Sequence, residues 1–140
     1  MKWVYDDGGR SKYFKGTTGD CVTRAISIAT GRDYKEIYDL INKYAKEEPV
    51  DELYMSNART GVCKELVHKV LADLGWTWKA CMFFGKGCQV HLKDGELPKK
   101  GVLIVSVSKH LTCIKNNVIH DTYDPSRGGR RCVYGYFVKS

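Results

Sequence analysis

His110-Leu111-Thr112-Cys113-Ile114-Lys115-Asn116-Asn117-Val118-Ile119-His120-Asp121-Thr122-Tyr123 consists of two apolar-rich runs on either side of an Asn-Asn pair. Asparagine enters the left-handed region more readily than most residues with a side chain, so the pair reads as a two-residue hairpin turn. Lys115 then faces Val118, and the pairing runs outward until His110 stands opposite Tyr123. Side chains alternate between the faces of a sheet, so His110, Thr112 and Ile114 share a face with Ile119, Asp121 and Tyr123. Asp121 is the diagonal neighbour of His110, whereas His120 and Asp124 fall on the other face. Any loop of even length preserves this parity and an odd one reverses it.

The surrounding chain extends the sheet. Trp76 to Phe84 is aromatic and apolar, and Gly85-Lys86-Gly87 breaks it. Val102 to Ser108 reads as a buried strand entered through the turn at Leu97-Pro98-Lys99-Lys100-Gly101, and Val133 to Val138 forms a last strand. Lys2-Trp3-Val4-Tyr5 predicts a short strand, followed by a turn at Asp6-Asp7-Gly8-Gly9-Arg10.

Helices precede this region. The first is expected from about Asp20 to Ala29, with Asp20 as N-cap and Gly31 as the stop. Its apolar face is Val22, Ala25, Ile26 and Ala29. Asp33 and Glu36 resemble a capping box for a second helix that ends near Glu48, since Pro49 follows, and carries Ile37, Leu40, Ile41 and Tyr44 on its apolar stripe. Asp51 to Thr60 is a connector. A third helix is expected from Val62 to Leu74, closed by Gly75, with Leu66, Val67, Val70, Leu71 and Leu74 inward and His68 off that stripe at the surface. Helices first and an antiparallel sheet afterwards predict an α+β fold. The 140 residues suit a single domain, residues 1–140.

Cys21 is the chemically suggestive residue of the first half. It lies in the first turn of the expected helix, where unpaired N–H groups and the helix dipole favour an anion, so its thiol should ionise more easily than a free cysteine. A thiolate nucleophile, an imidazole that accepts and returns a proton, and a carboxylate that fixes the imidazole tautomer form a working set. Cys21, His110 and Asp121 supply these types in the order Cys, His, Asp. Asp20 beside the thiol would oppose thiolate formation unless its carboxylate is engaged in capping the helix.

Bulk composition narrows the alternatives. A hydrophobic content of 43% supports a core, and 28% charged residues are ordinary for a soluble protein. No stretch reaches the ~18 apolar residues of a membrane span, and no signal peptide opens the chain, so the expectation is a cytoplasmic protein with no membrane partner. The six cysteines are then read as reduced thiols. Cys88-x-x-His91, His110-x-x-Cys113 and Cys63 with His68 lack the spacing of a common zinc site, and neither metal nor cofactor is expected. The net charge of +7 is spread along the chain. Its dense spot, Arg127-Gly128-Gly129-Arg130-Arg131, reads as a solvated turn, with an anion-contacting loop as the alternative. The function readings are therefore a thiol hydrolase or transferase, a catalytically silent binding module, and a nucleic-acid binder using Arg127, Arg130 and Arg131.

Gly19-Asp20-Cys21 with its helix, the buried strand, His110-Leu111-Thr112 and the strand ending at Asp121 resemble the papain-like cysteine peptidase superfamily in its small prokaryotic and viral form. Nearly the whole chain also resembles small uncharacterised bacteriophage and prophage proteins. That likeness lies in Phe14-Lys15-Gly16, Gly19-Asp20-Cys21-Val22 with Arg24-Ala25, Asp121-Thr122-Tyr123-Asp124 and Tyr134-Gly135-Tyr136. The resemblance implies a papain-like fold and a Cys21–His110–Asp121 triad acting on an amide, peptide or isopeptide bond. Its partner would be a peptide or protein substrate, or a host protein in a host cell cytoplasm. Papain-like enzymes complete the oxyanion hole with a glutamine shortly before the cysteine. The only glutamine here is Gln89, so Lys15, Thr17 or Thr18 is expected to donate together with the Cys21 N–H. Arg24, one turn after Cys21, is a candidate for binding a substrate carboxylate or Asp20, and Tyr123 is a candidate for lining the cleft.

Overall fold

A computed structural model of the chain describes residues 1–16, 18–47, 57–59 and 61–140. Strand β1 (Lys2–Tyr5) leads through a 3-10 turn (Arg10–Lys12) to helices α1 (Cys21–Thr30), α2 (Tyr34–Lys46) and α3 (Lys64–Asp73). Strands β2 (Trp76–Ala80), β3 (Val102–Val107), β4 (His110–Lys115), β5 (Val118–Asp121) and β6 (Val133–Lys139) follow. The architecture is α+β, with the strands in one six-stranded sheet of order β1-β5-β4-β3-β6-β2.

The sheet is mixed rather than antiparallel throughout. β1 runs parallel to β5, with Tyr5 beside Asp121. The Trp3 indole N–H donates to the Asp121 carbonyl at 3.1 Å, and the Asp6 N–H donates to the same oxygen at 2.9 Å. The N-terminal strand therefore anchors the backbone that carries this carboxylate. The expected strand from Trp76 to Phe84 ends at Ala80. Phe83 and Gly87 form an isolated bridge beyond it, and the Phe84 side chain is fully exposed.

Asn116 and Asn117 adopt φ of 47° and 68°. Both are left-handed, as a hairpin turn following the right-handed strand twist requires. Lys115 pairs with Val118, Ile114 with Ile119 and Cys113 with His120. Continuing this parity places Thr112 opposite Asp121.

Two apolar layers enclose the sheet. On one face α1, α2 and α3 bury Val22, Ala25, Ile26, Ile37, Ile41, Leu66, Val70 and Leu71 against Ile104, Leu111 and Phe137. On the other, Leu92 and Leu97 cover Leu103, Val105, Ile114 and Ile119. β3 is thus apolar on both faces, which is why it reads as a continuous Val-Leu-Ile-Val run.

Helix boundaries differ from expectation in specific ways. α1 ends at Thr30 with Gly31 left-handed at φ 70°. α2 ends at Lys46, short of Glu48. Glu48, Pro49 and most of the Asp51–Thr60 connector lie outside the described residues. α3 starts at Lys64, with Cys63 extended before it. Cys88 and Cys132 form a disulfide, so the reading of all cysteines as reduced is corrected for this pair. Among the described residues no helix is long and apolar enough to cross a membrane.

Candidate functional site

Cys21 opens α1 and His110 opens β4, and the two side chains border one cleft, close enough for the imidazole to act on the thiol. The Leu111 backbone amide adds to the environment that lowers the thiol. The His110 Nε2–H donates to Asp121 Oδ2 at 2.7 Å, which leaves Nδ1 as the ring nitrogen available to the thiol. The Thr112 hydroxyl donates to the same carboxylate oxygen at 2.7 Å, and the Thr122 N–H donates to Oδ1 at 2.7 Å. Asp121 is thereby held from three sides in the orientation that its diagonal position on the hairpin makes possible.

The electrostatics favour the charged forms of the thiol and the imidazole. Burial alone would raise the Cys21 thiol, but its hydrogen bond to His110, the charge of that ring, the Leu111 amide and Arg24 together bring it below its ordinary value. Burial would lower His110, but its bonds to Asp121 and Cys21 outweigh this and raise it. Burial works against the Asp121 charge, whereas His110, Thr112 and the Thr122 amide favour it, and its pKa falls. All three shifts favour a thiolate beside an imidazolium backed by a carboxylate.

Asp20 plays a different part from the one its position suggests. It occupies the N-cap position of α1, yet its side chain makes no capping hydrogen bond. It turns into the protein and is 2% exposed. There it pairs with Arg24, accepts from the Tyr34 hydroxyl, and lies 3.6 Å from Arg10 Nη1. Arg24 Nη2 stands 3.5 Å from Asp121 Oδ1, so one guanidinium spans the carboxylate next to the thiol and the carboxylate behind the histidine. This neutralises Asp20 and leaves the first-turn N–H groups of α1 free of a side-chain cap. With Arg24 so engaged and 7% exposed, a role in binding a substrate carboxylate is replaced by the Asp20 alternative.

The remaining candidates divide. Tyr123 packs its ring 5.1 Å from His110 but does not line the cleft. The Thr18 hydroxyl donates to the Arg59 carbonyl at 3.3 Å and is likewise absent from the cleft wall. Thr17 lies outside the described residues. Gln89 is exposed and donates to the Lys86 carbonyl.

A cleft of about 340 Å³ opens on Cys21 and His110. Val22, Val67, Leu111 and Phe137 make its walls apolar, Lys64 and Lys109 add positive charge, and Gly19 borders it. A neighbouring hollow shares Lys64 and Tyr134 with it and carries Phe83 and Phe84. His68, expected at the surface, packs its ring 4.8 Å from Trp78 and 5.0 Å from Phe137 and forms part of the cleft lining. Its place off the helical stripe is accommodated because the sheet supplies aromatic partners beside α3.

Gly135 permits this wall. A Cβ there would come within 2.3 Å of the Trp78 ring and 2.7 Å of the Lys79 carbonyl. Gly135→Ala is expected to displace Trp78 and cost about 1–3 kcal/mol. Chemical denaturation measures that cost, and a shift in Trp fluorescence reports the ring movement.

Arg131 corrects the reading of the basic loop as a solvated turn. It is 8% exposed, its Nη2 donates to the Ser108 carbonyl, and its Nη1 reaches the Pro125 carbonyl at 3.4 Å. It braces the turn that delivers His110, while Arg127 and Arg130 remain exposed. The residues that the sequence reading did not assign to the site are therefore Thr112, Leu111, His68 and Arg131. Thr112 alone carried a signal, its place on the His110 face of the hairpin.

With this geometry in hand, comparison with protein-family models, curated proteins and solved structures gives no match to the chain. Fold and site thus define an α+β protein whose cleft is bordered by Cys21 and by a His110 ring that is hydrogen-bonded to Asp121.

Proposed function

We propose that the protein is a papain-like thiol hydrolase or transferase that attacks an amide, peptide or isopeptide carbonyl through a Cys21–His110–Asp121 triad. The observation that carries this reading is the meeting of Cys21 and His110 at one cleft, with the ring hydrogen-bonded behind to Asp121 at 2.7 Å and near enough to lower the thiol. The Cys21 thiolate attacks the carbonyl carbon, and the tetrahedral oxyanion is received by the uncapped N-terminus of α1. The His110 imidazolium gives its proton to the leaving nitrogen, and the C–N bond breaks to leave a thioester. Water, or a second acceptor in a transferase, loses a proton to His110 and attacks the thioester, which returns the thiolate. Asp121 holds the His110 tautomer throughout and stabilises its charge. The apolar cleft and the aromatic hollow beside it suit a peptide segment better than a small polar ligand.

The test is acyl transfer from p-nitrophenyl acetate. A burst of one equivalent of nitrophenol with the acetyl group mapped to Cys21 by mass spectrometry is expected, and Cys21→Ala should lack it. A folded protein that leaves Cys21 unacylated would remove the hydrolase reading and leave a binding module.

A further inference from the structure

Away from the cleft, a second sulfur–imidazole–carboxylate series lies at the disulfide. His91 Nε2 is 3.6 Å from Cys88 Sγ. The other ring nitrogen, Nδ1, is 3.2 Å from Glu96 Oε1, and the His91 N–H donates to the same oxygen at 3.3 Å. Lys93 Nζ stands 3.3 Å from the second oxygen of Glu96. Cys88 is exposed and Cys132 is half-buried. The backbone aligns the pair independently of the sulfur bond: His91 and Cys132 form a β-bridge, the Leu92 N–H donates to the Arg131 carbonyl at 2.8 Å and the Val133 N–H to the Val90 carbonyl at 2.8 Å. These backbone bonds pair the segments that carry the two cysteines without using the sulfurs.

We infer that Cys88 and Cys132 form a reversible thiol–disulfide exchange site for low-molecular-weight thiols and disulfides, with Cys88 as the attacking sulfur and His91, oriented by Glu96, as its proton partner. In the oxidised protein an incoming thiolate attacks the exposed Cys88 sulfur, the Cys88–Cys132 bond breaks, and Cys132 leaves as a thiolate that takes up a proton. A second thiol attacks the sulfur of the mixed disulfide and expels Cys88 as a thiolate, which takes up a proton beside His91. Two thiols are oxidised to one disulfide, and the two cysteines take the two electrons and two protons. A charged imidazole beside a thiol raises its thiolate fraction and improves it as a leaving group, whereas a cysteine packed in apolar surroundings is inert. Cys113 is the internal contrast, with its thiol pushed up to about 12 by burial.

The site is tested on the full chain with residue-resolved mass spectrometry. After reduction by dithiothreitol, Cys88 is expected to react with iodoacetamide at pH 7 about ten-fold faster in the wild type than in His91→Ala. Cys21 alkylation in the same samples should be unchanged, which reports an intact fold and separates this site from the triad. Glu96→Gln should give an intermediate Cys88 rate. After removal of dithiothreitol, exposure to oxidised glutathione should restore the Cys88–Cys132 peptide in the wild type. Equal Cys88 rates in wild type and His91→Ala, or failure of the linked peptide to reform, would overturn the inference.

Discussion

Replacing His110 by alanine is expected to slow alkylation of Cys21 at pH 6 by about 100-fold or more, the scale on which a positioned acid–base group and thiolate formation act. Burial already pushes the Cys21 thiol upward, and the hydrogen bond and charge of His110 are the largest effects opposing it. Without the ring, burial prevails over the weaker contributions of Leu111 and Arg24, and the thiol returns toward or above the ordinary value of 9.0. The sign of the pH response follows. In the wild type the thiol is lowered and the imidazole raised, so alkylation should extend below the ordinary thiol range. In His110→Ala the whole profile moves to higher pH. Iodoacetamide rates measured from pH 5 to 10 and mapped to Cys21 check both statements, and superimposable profiles would show that the ring does not activate the sulfur. Asp121→Asn should give a smaller shift in the same direction, because the ring loses its counter-charge but retains a polar partner.

Replacing Asp20 by alanine is expected to lower stability by about 3–5 kcal/mol, the cost of removing one member of a buried ion pair. Its side chain is wholly buried, and those of Arg10 and Arg24 are only 7% and 9% exposed. Deleting the carboxylate strands positive charge where water cannot reach it. Arg24 would keep Asp121 at 3.5 Å. Arg10 would keep the Tyr34 hydroxyl at 3.2 Å, the Gly16 carbonyl at 3.3 Å and the face of Phe14. The loss should therefore be large but incomplete, lowering Tm by roughly 10 °C or more for a chain of this size. Thermal unfolding measures it, and an unchanged Tm would show that the cluster does not stabilise the fold. At temperatures where Asp20→Ala is folded, Cys21 should also be less ordered. Asp20 directly precedes it, and Asp20 ties the loop before α1 to the 3-10 turn and to α2.

These two sites differ in how much of each is legible in the sequence. The pairing of His110 with Asp121 follows from Asn116 and Asn117. Two consecutive left-handed residues set a two-residue turn, and strand alternation then leaves no freedom in which acid lies diagonal to His110. The start of α1 at Cys21 and its stop at Gly31 were legible for the same local reason. Asp20 was misread because the local rule, an Asp before a helix acting as N-cap, competes with a long-range partner set. Arg10, Arg24 and Tyr34 come from three separate elements, and no spacing announces that they converge.

The sequence by itself determined the local geometry of this protein: the helix that begins at Cys21, the hairpin that sets Asp121 beside His110, and the apolar alternation that divides core from surface. Those features arise from backbone dihedrals and side-chain periodicity within a few residues. Only the tertiary structure decided that the thiol meets the imidazole, that β1 joins β5 in parallel, that His68 turns to the cleft, and that Cys88 is bonded to Cys132. Each of these depends on segments far apart in the chain whose approach is driven by non-directional apolar burial, and that drive carries no record in the sequence of which polar groups it will bring together.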